Sequence, residues 1–145
     1  MDKISPIITN SGSSQLNGLL QGLRPGDNVV WQIDRFEDYA HFAELFVEQS
    51  IRDSFKCMYF RFALHPLLVK ARSGLTIFEL DPTPGFDCFS GKVHEIIEKQ
   101  GKETHYNFDN LSALVSEWAT DELLANFYQV TCPYIFELND LAFLG

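Results

Sequence analysis

The chain has 145 residues, the length of one ordinary globular domain, so a two-domain reading strains it and residues 1–145 are read as a single unit. A hydrophobic share of 46%, with 13 Phe, excludes intrinsic disorder and requires a real core. The formal net charge of −9, from 20 acidic against 11 basic residues, argues against nucleic acid or an anionic membrane as the main partner, because either needs a basic face.

The chain opens on a polar Ser/Gly-rich stretch, followed by a short helix pattern in Leu16, Leu19, Leu20 and Leu23. Arg24-Pro25-Gly26-Asp27 is turn chemistry, and residues 28–33 (NVVWQI) read as a buried strand by their β-branched and aromatic content. Over 37–51 the apolar period becomes helical: Tyr39, Phe42, Phe46 and Ser50 share a stripe, with Ala43 and Val47 alongside and Glu44 and Glu48 toward water. Residues 55–62 (FKCMYFRF) and 75–80 (LTIFEL) are strands, the second closed by Asp81-Pro82-Thr83-Pro84-Gly85. A helix follows from Phe86 to near Gly101, then a strand over 104–109 (THYNFD). Leu111, Leu114, Val115 and Trp118 begin a helix that restarts at Asp121, and Pro133 is expected to kink or break that second segment. The last strand is the wholly apolar 141–144 (LAFL). Strands alternating with helices imply right-handed βαβ crossovers and a parallel sheet covered on both faces, an α/β fold.

Cys57, Cys88 and Cys132 are odd in number and set in apolar contexts, and residues 1–15 show no signal-peptide pattern. They are expected to be buried, reduced thiols of a cytoplasmic protein. His41, His65, His94 and His105 lack metal-ligand spacing, so no zinc site is expected, and His94 with Glu98 reads as a solvated i,i+4 pair. The aromatic run 126–136 (NFYQVTCPYIF) suits a core, or a docking face for a neighbouring domain.

In a parallel sheet, function gathers at the carboxyl ends of the strands. There, GLLQGLRPGDNVVWQIDRFEDYAHFAELFVEQ resembles the opening of RecA-superfamily ATPases of the KaiC-like type, and YNFDNLSAL resembles the family's second nucleotide motif. The resemblance implies a RecA-like three-layer α/β/α domain with five mostly parallel strands in the order 3-2-4-5-1. The 141–145 strand would then lie between the Asp109 strand and the 28–33 strand. The departures from the family pattern are as informative. The phosphate loop falls on Gln32-Ile33-Asp34-Arg35-Phe36-Glu37-Asp38-Tyr39, which has no Gly. Asp38 stands where the loop Lys belongs and Tyr39 where the metal-binding hydroxyl belongs, so carboxylates would meet a triphosphate that needs cations. In FRFALHPLL, Ala63 and Leu64 occupy the positions of the family's catalytic Glu pair, with Pro66 in register. Asp109, the family's metal-side Asp, survives with Asn110, either as a buried cap of the next helix or in a vestigial binding role.

RPGDNVVWQID, YFRFALHP, the FD-x-LS strand end, W-x-x-D and NFYQVTCPYIFEL more specifically resemble the N-terminal domain of bacterial phosphoenolpyruvate synthase or pyruvate phosphate dikinase-like fusion proteins. That resemblance implies a non-catalytic docking or regulatory domain with a decayed nucleotide site, no catalytic residue and no cofactor. Its partners would be the other domains of a parent phosphotransferase. Two alternatives stand beside it: an atypical ATPase holding Mg²⁺-ATP through Asp109, and a small-anion sensor using Arg35 or Arg61 in the same crevice. Arg61 is further expected to reach Asp109 as an ion pair. Asp34, Glu37 and Asp38 at a helix start would fill the anion site from within, with Asp34 or Arg35 near the N-cap.

Overall fold

A computed structural model describes residues 9–62, 65–118, 121–138 and 140–144. The elements run α1 (Ser14–Leu20), β1 (Asn28–Val30), α2 (Phe36–Arg52), β2 (Lys56–Arg61), β3 (Leu75–Glu79), α3 (Phe86–Gln100), β4 (Thr104–Asp109), α4 (Ser112–Trp118), α5 (Asp121–Glu137) and β5 (Leu141–Leu144). The five strands form one sheet in the order β1-β5-β4-β2-β3, every pair parallel. This is the expected order read from the other edge, and it places β5 between β4 and β1. No helix among the described residues is long and apolar enough to cross a membrane.

The sheet is covered on both faces because its strands alternate side chains across it. On one face α2 lays Tyr39, Ala43, Phe46 and Val47 over Cys57, Tyr59, Leu141 and Phe143. On the other, α3, α4 and α5 bring Phe89, Val93, Leu114 and Phe127 onto Phe60, Tyr106, Phe108, Ala142 and Leu144. β4 is buried at every residue, including Thr104, His105, Asn107 and Asp109, so polar groups enter the core along the centre of the sheet.

Several local expectations need correction. β1 stops at Val30 rather than Ile33, although Trp31 N–H still donates to Leu144 O at 2.9 Å. α5 continues through Pro133 instead of breaking there. Phe127 before it and Ile135 after it are both fully buried in one core, and that packing outweighs the roughly 3 kcal/mol that an interior Pro costs. Glu44 does not simply face water: it binds Arg72 and accepts the Lys70 N–H at 3.0 Å. Nor is His94 a solvated partner of Glu98, for its Nε2 lies 3.1 Å from Thr131 Oγ1 and its ring stacks on Tyr134. Cys57 is buried and its thiol pushed up to about 12, but Cys132 is half-buried and Cys88 is exposed on α3.

Two buried groups set opposing pH dependences. His105, 2% exposed between the rings of Phe46 and Phe55 and 2.7 Å from Ser50 Oγ, is pushed down from 6.5 to about 4 by burial. Its folded value lies below its unfolded one, so its contribution is present above about 6.5 and is lost as pH falls toward 4. Asp140, fully buried at the start of β5 and accepting the Thr104 N–H, is pushed up from 3.8 to about 6 by the same cause. Its contribution is present at low pH and is lost as pH rises through 6. Over pH 4–6 the two slopes oppose. Asp140→Asn keeps an oxygen for Thr104 and removes one slope, so its stability should climb between pH 4 and 6.5 by on the order of 2 kcal/mol while the parent profile stays flatter. Urea unfolding across that range checks this; identical profiles would contradict it.

Candidate functional site

Val30, Leu144, Asp109 and Arg61 end neighbouring strands at the carboxyl edge of the sheet. A cleft of about 450 Å³ opens there, between residues 30–36 and the segment 110–112, with Leu124 and Tyr128 of α5 and Leu144 completing its wall. The chain leaves β1 toward the α2 face and leaves β4 toward the opposite face, and the cleft lies where those paths diverge, the usual ligand position in such sheets.

The loop entering α2 sets acidic residues at the helix start, but no side-chain cap bond is made there among the described residues. Arg35 is the N-cap residue in extended conformation without a side-chain cap bond, and Glu37 and Asp38 occupy the first turn. Negative charge is favoured there by the free N–H groups and the helix dipole. Arg35 Nη2 lies 3.4 Å from Asp38 Oδ1, but the two side chains are 71% and 59% exposed, so the pair holds geometry more than it stabilises. Gln32, Asp34 and Arg35 line the cleft together with Asn110.

The other residues singled out from the sequence lie beneath and beside the cleft. Asp109 is 0% exposed. By strand alternation its side chain turns to the α2 face, where the Tyr59 hydroxyl donates to Oδ2 and His65 Nε2 lies 2.7 Å from Oδ1. Burial raises its carboxyl above the ordinary range, against the downward pull of Tyr59, His65 and Arg61. Tyr39 is fully buried too, its hydroxyl raised by burial and by the charge of Asp109. Asp109 therefore does not cap α4, which lies on the far face; Asn110 does, its Oδ1 and backbone oxygen accepting the Ala113 N–H at 3.3 and 3.1 Å. The Asp109–Asn110 peptide is cis. Arg61 does not pair with Asp109 either. Its guanidinium binds Glu79 Oε1 at 3.0 Å across the β2–β3 register and the His65 carbonyl at 3.0 Å.

His65 is the residue whose role the sequence concealed, since it stood out only as a histidine without metal-ligand spacing. Its Nδ1 is 2.8 Å from the Pro66 carbonyl, and its ring stacks on Phe36 with centroids 4.2 Å apart. One ring nitrogen faces a carbonyl and the other a carboxylate. The signal was positional: His65 follows β2, the strand beside β4, at the edge where Asp109 ends. The segment it begins is fastened to α2 through Lys70 and Arg72 on Glu44, and through buried Val69. Ala63 and Leu64 lie outside the described residues. Among the described residues no group of three His, Cys, Asp or Glu is arranged to hold a metal ion.

In comparisons with known proteins, no family model matches the chain, and no curated protein matches it.

Proposed function

We propose that this is a non-catalytic docking or regulatory domain, RecA/KaiC-like in descent, that serves a phosphoenolpyruvate synthase or pyruvate phosphate dikinase-like phosphotransferase and whose nucleotide site has decayed. One observation carries the reading: Asp109 is 0% exposed, with the Tyr59 hydroxyl donating to one oxygen and His65 Nε2 standing 2.7 Å from the other. A carboxylate that serves Mg²⁺ must present an oxygen to the ion or to its water. The loop residues support the same conclusion. Tyr39 is buried where a metal-binding hydroxyl would be exposed, Asp38 faces Arg35, and residues 32–39 contain no glycine to let backbone N–H groups converge on phosphates. These residues do not fit Mg²⁺-ATP.

Calorimetric titration with Mg²⁺-ATP is expected to give no saturable heat, and saturating nucleotide is expected to leave the melting temperature unchanged, because a ligand that binds only the native state must raise it. Micromolar binding weakened by Asp34→Ala or Asn110→Ala would overturn the proposal and favour an atypical ATP-binding protein.

A further inference from the structure

The cleft at the carboxyl edge has an apolar floor and an acidic rim. Ile33, Leu111, Leu124 and Leu144 line it, and at its mouth Val30 is 59% and Phe36 42% exposed. Exposed apolar side chains bordering an open apolar cavity, as opposed to scattered ones, mark a contact surface. Among the described residues Asp34 on the rim and Glu37 beside it have no ion-pair partner, and Arg35, the one described cation lining the cleft, is engaged by Asp38. The mouth is thus net negative, within a chain of net charge −9.

We infer that this cleft is a docking groove for a cationic segment of a partner polypeptide: one bulky apolar side chain seats on Ile33, Leu111, Leu124 and Leu144, and flanking Lys or Arg residues face Asp34 and Glu37. The inference rests on the docking reading above and adds the chemistry of the partner. Charge complementarity selects this occupant. An acidic segment or a nucleotide would meet like charge at the rim, and a second copy of this chain would bring the same acidic surface with it. The volume of about 450 Å³ suits a compact anchor rather than a whole helix face.

The test is fluorescence anisotropy with a labelled peptide of alternating Leu and Lys, run beside the same peptide with Glu in place of Lys, at low and raised salt. The parent protein is expected to bind the Lys peptide saturably, more weakly as salt rises, and to ignore the Glu peptide. Val30→Asp should weaken binding by roughly tenfold or more, as loss of apolar contact at an anchor does. Asp34→Lys with Glu37→Lys should weaken it and flatten the salt dependence, while Glu95→Lys on the distant α3 should change nothing; circular dichroism confirms that each variant folds. Equal binding of both peptides, or binding indifferent to Val30→Asp, would overturn the groove as a specific site. Absence of binding while calorimetry also stays silent with Mg²⁺-ATP would overturn the cationic partner and leave the docking reading standing. Displacement of the peptide by Mg²⁺-ATP would instead overturn that reading.

Discussion

Phe143→Ala is expected to lower the free energy of unfolding by about 3–5 kcal/mol, the cost of emptying a large aromatic site in a packed core. Phe143 lies mid-strand in β5, is 0% exposed, stacks on Phe46 at 3.9 Å between centroids and touches Trp31 at 5.4 Å. It joins three parts of the fold at once: β5, the body of α2, and the loop that frames the cleft. A domain of this size holds about 5–15 kcal/mol in total, so the variant should be marginal at room temperature. Leu19→Ala, at a site 83% exposed, should stay within about 0.5 kcal/mol of the parent. Urea denaturation of the three proteins decides it; equal midpoints would mean that β5 is not the centre of the sheet.

Asp109→Ala should cost a similar amount, about 3–5 kcal/mol, because removing one partner strands the others in a buried site. The Tyr59 hydroxyl would lose its acceptor and His65 its anion, both beneath α2. Asp109→Asn, which keeps an oxygen, should lose less. A double-mutant cycle of Asp109→Asn with His65→Gln should return a coupling of about 0.5–3 kcal/mol, the range for groups in direct contact. The functional reading makes a clear contrast here. A carboxylate kept for Mg²⁺ would be neutral to stability or would stabilise when removed, so an unchanged urea midpoint for Asp109→Ala would contradict the structural role assigned to it.

Much of the fold was legible in the sequence because burial imposes simple periods. The apolar stripe from Tyr39 to Ser50 can only be a helix over a core, and LAFL can only be a strand buried on both faces. The strand order came from the resemblance of the motifs, since local pattern holds no information on which strands are neighbours. At the cleft, the acidic helix start was readable because capping is a local matter: Arg35, Glu37 and Asp38 lie where the dipole places them. The partners of Asp109 were not readable. Tyr59 and His65 reach it from another strand and from the turn after that strand, and nothing in their own neighbours records the distance. Arg61 shows the same limit: it lies opposite Asp109 in register, yet Glu79 on the other side offers a more exposed and less costly partner. Pro133 and Cys88 were misjudged because residue type alone outweighed the packing around them.

In the sheet β1 and β4 are separated by β5, which is later in the chain than either. During synthesis, therefore, the first strand and the β2–β3–β4 block leave the ribosome as two unjoined pieces, each with an open edge and bare apolar faces. The strand that unites them is the last of the five in chain order. A nascent chain of this kind keeps those edges open until Leu141–Leu144 is free to slot between them. Ribosome-bound chains halted before residue 141 should accordingly be protease-sensitive, and those in which residues 1–145 are followed by an added linker long enough to clear the exit tunnel resistant.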